Sequence, residues 1–410
     1  MANAEEIPSE LQYVVLLFLL FVVPRFFQRW RLPAAVTSMG LGALAGMGLG
    51  LFAQDQTIRL LSTLGIVSLF LFAGLDVNFR ELRQEATVVA QHLVIRVIVV
   101  LAVTIVVSLT LGLEVRPAIL VALALLTPST GFILDSLASL GVTERERFWI
   151  KTKAIATEIV ALGLLFLTLQ STTPARLGLS TMVLLGLIGV LPVVFRAFAR
   201  LVVPYAPRSE FAFLLMIALL CAYATRELGV YYLVGAFVVG LTAQRLRERL
   251  PAMTSEQMLH AVELFASFFV PFYFFHAGLQ LLREDFGLKA LVLGGIFLVA
   301  LVPFRLGLVG LHRRLALGEP VRKGVRVGAS LLPTLVFTLV IAEILRDRFG
   351  VPAYVFGGLI VYAIVNTLIP GFALRLPPPE FEILHAPEVP VPGESIEAGE
   401  IAAESTEPVA

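Results

Sequence analysis

Cysteine is almost absent from this chain of 410 residues, since Cys221 is the only one and it lies in an apolar run. A single thiol excludes an internal disulfide, a CxxC redox site and a thiolate metal cluster. Charged residues make up only 15% of the sequence, and the net charge of +1 comes from arginines scattered through short loops. Without a basic face, binding to nucleic acid is not expected.

Motifs of soluble catalysis are missing as well. The sequence has no Gly-rich phosphate-binding loop, no nucleophile elbow and no cluster of metal-ligating residues. We therefore expect neither an enzyme nor a bound cofactor.

Apolar residues are abundant, at 58% of the chain, and they return in long runs separated by short charged loops. This pattern predicts an all-α, polytopic membrane protein. The N-terminal residues 1–10 lack the basic region of a secretory signal, so the first run is expected to stay as a span behind a short external segment. Residues 376–410 are rich in Pro and Glu, which predicts a disordered acidic cytoplasmic tail.

The apolar runs predict thirteen membrane-spanning helices within a transmembrane domain of residues 11–373. Loops after the odd-numbered spans hold 21 Lys and Arg residues, and loops after the even-numbered spans hold 8. By the positive-inside rule, the N-terminus should lie outside and the C-terminus in the cytoplasm of a bacterial inner membrane. The predicted spans are 11–27, 32–52, 58–75, 86–112, 117–140, 147–169, 177–199, 211–226, 229–244, 261–282, 287–311, 324–345 and 352–373.

Two motifs recur in the two halves of the chain. The third span closes with FAGLD and the tenth with HAGLQ, while LTPS interrupts the fifth span and LPT the twelfth. Gly74 and Pro128 are 54 residues apart, and Gly278 and Pro333 are 55 apart. Because corresponding spans run in opposite directions, the sequence predicts inverted repeats of about residues 32–169 and 229–373.

Inverted repeats with one helix broken near mid-membrane are typical of secondary transporters. Pro128 and Pro333 would supply the breaks, since proline removes a backbone donor and clashes with the preceding turn. The alternative is that both prolines only kink helices for packing. If the helices do break, nearby hydroxyl groups would line a polar site; they belong to Thr127, Ser129, Thr130 and Thr334.

Glu158 lies in the middle of the run KTKAIATEIVALGLLFL. A charge at bilayer depth costs roughly 2.5 to 3.5 kcal/mol, so it is usually kept for a function or a partner. Glu158 is about 16 Å along its helix from Arg147, close to the midplane. A buried carboxyl among hydroxyls can hold a proton or a monovalent cation, and competition at one site gives exchange. The alternative is a permanent structural pair with Arg96 or Arg305.

Two other polar residues inside the spans, Asn366 and Asp135, can each be interpreted in two ways. Asn366 lies 33 residues after Pro333 and could be the counterpart of Glu158 in the second half, or an interhelical hydrogen bond. Asp135 could line an ion entrance or simply lie at the membrane interface. His92 and His312 lack metal-ligand spacing, and we assign them no role.

Five stretches, in their order and spacing, resemble the monovalent cation:proton antiporters of the second cation:proton antiporter group, which includes sodium/proton antiporters and potassium efflux transporters. The resemblance covers roughly residues 12–372 and implies thirteen helices, two crossed broken helices and a homodimer. The stretches are LGIVSLFLFAGLDVNFREL, LLTPSTGFILDSLASLGV, KAIATEIVALGLL, YYLVGAFVVGL and FFVPFYFFHAGLQL.

The resemblance places Thr157 and Glu158 where many relatives carry two adjacent acids, and Arg305 where they carry a lysine. It favours Arg305 as the partner of Glu158, whereas depth in the membrane favours Arg96. An arginine stays charged and cannot act as a second proton carrier. We therefore predict electroneutral exchange of one proton per Na⁺ or K⁺.

Two other functions remain open on the sequence alone. A proton- or sodium-coupled carrier of a small anion could use Arg96 or Arg305 as the partner of the anion. A membrane sensor could keep the fold and lose transport. The absence of a second acid at Thr157 would be consistent with that function.

Overall fold

A computed structural model describes the chain except for residues 1–8, 53, 78, 137–141, 207–208, 230–231, 247–255 and 375–410. The described residues form helices and turns, without strands. The predicted tail, 376–410, lies outside them, as does most of the predicted external N-terminus. The helices are α1 Ser9–Gln28, α2 Ala34–Ala43 with a π-helical turn Leu44–Gly48, α3 Gln56–Leu75, α4 Phe79–Gln84, α5 Ala86–Leu111, α6 Val115–Leu126, α7 Thr130–Ser136, α8 Glu144–Gln170, α9 Pro174–Leu201, α10 Glu210–Glu227, α11 Tyr232–Arg245, α12 Glu256–Leu279, a 3-10 turn Arg283–Phe286, α13 Leu288–Leu317, α14 Val321–Ser330, α15 Leu335–Phe349 and α16 Ala353–Ala373.

Each of the thirteen predicted apolar runs contains a helix or a broken pair of helices. Within the described part of the chain, 9 helices are long and apolar enough to cross a membrane, or 10 if α14 and α15 form one span bent by 52°. The all-α membrane fold predicted from hydropathy is confirmed.

Helix α8 carries Glu158 and begins with a capping box. The Thr143 side chain accepts a hydrogen bond from the Glu146 N–H at 3.3 Å, and the Glu146 carboxylate accepts one from the Thr143 N–H at 2.9 Å. Both contacts satisfy amide groups that would otherwise lack partners at the helix start. The helix then runs for 27 residues with most of its central side chains buried. A helix buried on most of its surface lies in the interior of a bundle.

The helices fall into two groups that each pack mainly within themselves. One group contains α1, α2, α3, α10, α11 and α12, and the other contains α5, α6, α8 and α13 to α16. In the first group, Gly74 of α3 packs on Gly240 of α11, and Gly42 of α2 packs on Gly278 of α12. In the predicted repeat, α2 corresponds to α11 and α3 to α12. The repeat therefore relates the crossing of α3 and α11 to the crossing of α2 and α12.

The crossing of α3 and α11 leaves no room for a side chain. A Cβ atom added at Gly74 would lie 2.4 Å from the Phe237 carbonyl oxygen. Because that atom is backbone, the helices would have to separate, and we expect Gly74→Ala to lower the stability by about 1 to 3 kcal/mol. Thermal unfolding in detergent measures this effect.

Gly163 in α8 provides the matched control, since nothing lies within 4 Å of its added Cβ. Gly163→Ala should be neutral or slightly stabilising, because alanine favours helix more than glycine does. Equal unfolding temperatures for the two variants would contradict the close packing of α3 on α11.

Candidate functional site

Two broken helices cross and are hydrogen-bonded to each other at the breaks. Between α6 and α7, and between α14 and α15, the chain leaves the helix at Pro128 and Pro333. The Ser129 N–H donates to the Pro333 carbonyl at 2.8 Å, and the Ser129 hydroxyl accepts from the Val336 N–H at 3.0 Å. The Thr338 hydroxyl donates to the Ala124 carbonyl at 2.7 Å. Each broken helix thus satisfies some of the polar groups that are freed at the break of the other.

Arg305, on α13, caps the C-terminal ends of α6 and α14. Its guanidinium is 2% exposed and donates to the carbonyls of Leu331 at 2.7 Å, Leu332 at 3.1 Å and Leu125 at 3.3 Å. It also donates to the Tyr362 hydroxyl at 3.0 Å, and that hydroxyl donates to the Leu125 carbonyl at 2.8 Å. Helix C-terminal ends carry partial negative charge, so they stabilise the cation.

Asn366, on α16, binds the second break. Its amide nitrogen donates to the Leu332 carbonyl and lies 3.4 Å from the Thr334 hydroxyl. These contacts are interhelical, and the role of Asn366 as a counterpart of Glu158 stays a prediction.

Glu158 lies beside the crossing and lines a small cavity. Its side chain is 3% exposed, and its Oε2 atom has no hydrogen-bond partner within the described part of the chain. The cavity measures about 10 Å³, which is the space of roughly one water molecule. The other lining residues are Ser129, Thr130 and Gly131 around the start of α7, Val336 and Phe337 of α15, and Leu69, Phe70 and Ala73 of α3.

Two of the predicted hydroxyl residues, Ser129 and Thr130, share this cavity with Glu158. The Thr130 hydroxyl has no hydrogen-bond partner among the residues described. Thr127 is buried in the first break, and Thr334 is engaged by Asn366 and Thr338 in the second. Thr157 turns away from the cavity, because its hydroxyl donates to the Lys153 carbonyl at 2.7 Å.

The structure brings no arginine into an ion pair with Glu158, within a limit of 4.0 Å and among the described residues. The Nη1 and Nη2 atoms of Arg305 donate to carbonyl oxygens of the crossing and to the Tyr362 hydroxyl instead, and its Nε has no partner among those residues. Arg96, on α5, is 3% exposed, and its Nε and Nη1 atoms have no partner among those residues. Asp135 belongs to α7, and its side chain lies outside the described part of the chain.

Three buried titratable residues, Lys153, His92 and His312, had no role predicted from the sequence. The Lys153 amine, 1% exposed, lies 3.0 Å from His312 Nδ1, and His92 Nε2 lies 3.1 Å from the Thr157 hydroxyl. In the sequence, Lys153 lies near the start of a span, where a solvated loop cation is expected. Only the packing of α5 and α13 over this turn of α8 shows that its side chain is buried.

An ion pair connects the two groups of helices. The Lys151 amine of α8 lies 2.6 Å from the Asp76 carboxylate at the end of α3. Both side chains are about a quarter exposed, at 26% and 27%. Glu158 therefore lies at the boundary between the two helix groups, which we call the seam. The pair of Lys151 and Asp76 lies at the edge of this seam.

Comparison with known proteins gives the identity of the fold. Residues 15–377 match the family described as "Sodium/hydrogen exchanger, transmembrane". The chain belongs to this family. As a member of the sodium/hydrogen exchanger family, it is a multi-pass membrane protein whose substrates are a cation and the proton, and the predicted cation:proton exchange is confirmed.

The relatives of this exchanger are distant. The Na(+)/H(+) antiporter NhaS5 of Synechocystis sp. is 25% identical over 292 residues, which cover 67% of this chain and 40% of that protein. The chain therefore spans less than half of that relative. The "Probable Na(+)/H(+) antiporter 3" of Methanocaldococcus jannaschii is 22% identical over 382 residues, covering 88% of this chain and 95% of the relative.

A solved structure shares the fold. The sodium proton antiporter MjNhaP1 of Methanocaldococcus jannaschii superposes with a TM-score of 0.60 at 16% identity, covering 89% of this chain and 94% of that one. At this identity the likeness shows the shared fold alone.

Proposed function

We propose that this exchanger carries one monovalent cation, Na⁺ or K⁺, against one proton, with Glu158 as the site that both ligands share. The observation that carries the proposal is the position of Glu158. It is a buried carboxyl with an unpartnered oxygen, in a cavity that also holds the hydroxyls of Ser129 and Thr130. Oxygen atoms of this kind suit a hard cation.

The chemistry at Glu158 is a competition for the same oxygen lone pairs. When the carboxyl is protonated, it is neutral and no longer attracts a cation. When the proton leaves, the carboxylate can bind a cation together with the Thr130 hydroxyl. Ser129 can contribute as well, since a hydroxyl that accepts one hydrogen bond keeps a second lone pair. Each cycle then exchanges one ligand for the other.

Alternating access would occur along the seam that contains Glu158. The cavity lies between α3 of one helix group and α8 and α15 of the other, beside the start of α7. Movement of one group against the other would expose the carboxyl first to one side of the membrane and then to the other, as in other transporters with inverted repeats.

Exchange by this site should be electroneutral. Arg305 is held by four hydrogen bonds at the crossing, and its guanidinium keeps its charge throughout. With Glu158 as the exchanging acid, one positive charge moves in each direction. We expect that an imposed membrane potential, without a pH gradient, drives no ²²Na⁺ uptake into proteoliposomes.

A pH gradient of either sign serves as the positive control for these vesicles, since it should drive uptake or release. Potential-driven uptake of Na⁺ in the absence of any gradient would rule out a stoichiometry of one proton per cation.

Acid should weaken the apparent affinity for the cation. Because proton and cation exclude each other at Glu158, the half-saturating cation concentration should rise by up to about tenfold for each pH unit of acidification, once the carboxyl is mostly protonated. The maximal rate at saturating cation should change far less. Initial rates of exchange, measured against cation concentration at several values of pH, test this. A half-saturating concentration that stays constant across two pH units would indicate separate sites.

A carrier of small anions is the second candidate, favoured by the unpartnered Nε and Nη1 donors of Arg96. Proteoliposomes assayed with sodium, potassium, lithium and small anions separate the two. Cation-dependent dissipation of a pH gradient supports the exchanger, and anion dependence supports the carrier.

We also propose a homodimer in a bacterial inner membrane, with the N-terminus outside and the C-terminus cytoplasmic. The excess of basic residues in loops after the odd-numbered spans supports this orientation. Because Cys221 is the only cysteine, a Cys221→Ala background with one new terminal cysteine allows labelling by an impermeant maleimide from each side. Chemical cross-linking in membranes tests the dimer.

A further inference from the structure

A second cavity lies between α5 and α13, and its wall on α13 begins about one turn beyond Arg305. It is a crevice of about 910 Å³ formed by the first turns of α5 and the last turns of α13. Its walls are mainly apolar and include Ala90, Val94 and Leu308. Leu311 and Leu315 on the rim are 54% and 77% exposed, so the crevice opens at the protein surface. Because both helices are membrane spans, lipid is the medium that faces this opening.

His312 is a polar group on the crevice wall, and one of its nitrogens has no partner. Its side chain is 8% exposed, and Nδ1 lies 3.0 Å from the Lys153 amine. When Lys153 is an ammonium it can only donate, so Nδ1 accepts and the ring proton lies on Nε2. That Nε2–H has less than 1 Å² of accessible surface and no partner among the described residues. A hydrogen-bond acceptor in the crevice would satisfy this donor after a small rotation of the ring.

Basic residues flank the end of the crevice. Arg83 lies in the last turn of α4, shortly before α5, and Arg314 lies in the last turn of α13. Both side chains are exposed. A basic residue close to the membrane surface attracts anionic lipid. The volume is also within the usual range for ligand sites, roughly 300 to 1,000 Å³.

We propose that this crevice binds one anionic phospholipid. An acyl chain lies along Ala90, Val94 and Leu308, and a phosphate or ester oxygen accepts a hydrogen bond from His312 Nε2. Arg83 and Arg314 favour the anionic headgroup over a zwitterionic one. This site is separate from the Glu158 cavity and does not depend on the exchange mechanism.

The proposed lipid is connected to the transport site through Lys153. His312 holds the Lys153 amine, and the Lys153 carbonyl accepts the hydrogen bond of the Thr157 hydroxyl at 2.7 Å. Thr157 adjoins Glu158, and its hydroxyl also faces His92, whose ring lies 6.0 Å from that of His312. Occupancy of the crevice therefore acts on the turn of α8 that precedes the ion site.

Native mass spectrometry of the delipidated full-length chain tests lipid binding. The protein is titrated with phosphatidylglycerol and, separately, with phosphatidylcholine. We expect one tightly retained phosphatidylglycerol and weaker retention of phosphatidylcholine. Ala90→Trp, which fills the crevice from an exposed position, should weaken that retention at least tenfold. Val299→Trp, at a side chain of α13 that is 78% exposed, should leave it unchanged.

Two results would overturn the proposal: full retention of phosphatidylglycerol in Ala90→Trp, or equal retention of both lipids. Should Ala90→Trp fail to fold, Ala316→Trp fills the crevice from the α13 wall. His312→Phe should release the lipid several-fold faster, and His312→Gln should restore retention because an amide can donate and accept. Glu158→Gln should bind lipid normally, so failure of the transport mechanism and failure of the lipid site give different results.

Discussion

Replacing Glu158 by glutamine is expected to reduce cation:proton exchange to the level of protein-free vesicles. The amide has nearly the same shape as the carboxyl, so the cavity beside Ser129 and Thr130 should persist. It can neither release a proton nor offer a negative charge to a cation. Loss of a charged partner in a buried site costs about 2 to 5 kcal/mol, which corresponds to a fall in affinity of roughly 30-fold or more. Dissipation of an imposed pH gradient by Na⁺ or K⁺ measures the loss.

Two variants make this result specific. Glu158→Asp keeps a carboxylate and should keep measurable exchange, with a higher half-saturating cation concentration because the shorter side chain reaches less far. Glu114→Gln removes an exposed carboxylate at the start of α6 and should leave exchange unchanged. Exchange at the wild-type rate in Glu158→Gln would exclude this carboxyl as the shared site.

Replacing Arg305 by leucine is expected to destabilise the crossing itself. The Leu331 carbonyl would lose the donor that Arg305 supplies, and the Leu125 and Leu332 carbonyls would each lose one of two side-chain donors. Hydrogen bonds of this kind contribute about 0.5 to 1.5 kcal/mol, and a buried carbonyl left without a partner costs more. We expect a loss of about 2 to 6 kcal/mol in total, seen as a lower unfolding temperature in detergent.

Arg305→Lys should be intermediate, because an ammonium is a point charge that cannot reach three carbonyls in fixed directions. Arg200→Leu removes an exposed arginine from the last turn of α9 and should change the unfolding temperature little. If Arg305→Leu unfolded at the wild-type temperature with its exchange intact, the crossing would not depend on this guanidinium.

Hydropathy and proline placement predicted most of the fold, because each signal is local. A helix that spans a bilayer must be long and apolar whatever its neighbours are, and Pro128 removes a backbone donor from its own helix wherever that helix lies. Glu158 was found for a similar reason, since one acid inside an apolar run is visible without any contact.

The partners of the buried charges could not be predicted in the same way. The resemblance favoured Arg305 as the partner of Glu158 and depth in the membrane favoured Arg96, yet the Arg305 guanidinium is positioned by carbonyls from two helices that lie far apart in sequence. Backbone acceptors carry no sequence signal. Lys153 and His312 are 159 residues apart, so their contact depends on how α8 and α13 pack, which residue types alone do not specify.

The hydrogen bond between Ser129 and Val336 spans 207 residues of chain, and this separation has a consequence for biosynthesis. The first break is made early, but the backbone groups that complete it belong to α14 and α15 near the end of the chain. During synthesis, Glu158 enters the membrane before those groups exist. Contacts between such distant segments form late and slowly. The ion site therefore becomes complete only when nearly the whole chain has been inserted, and a chain that stops before α15 would contain the acid without its binding site.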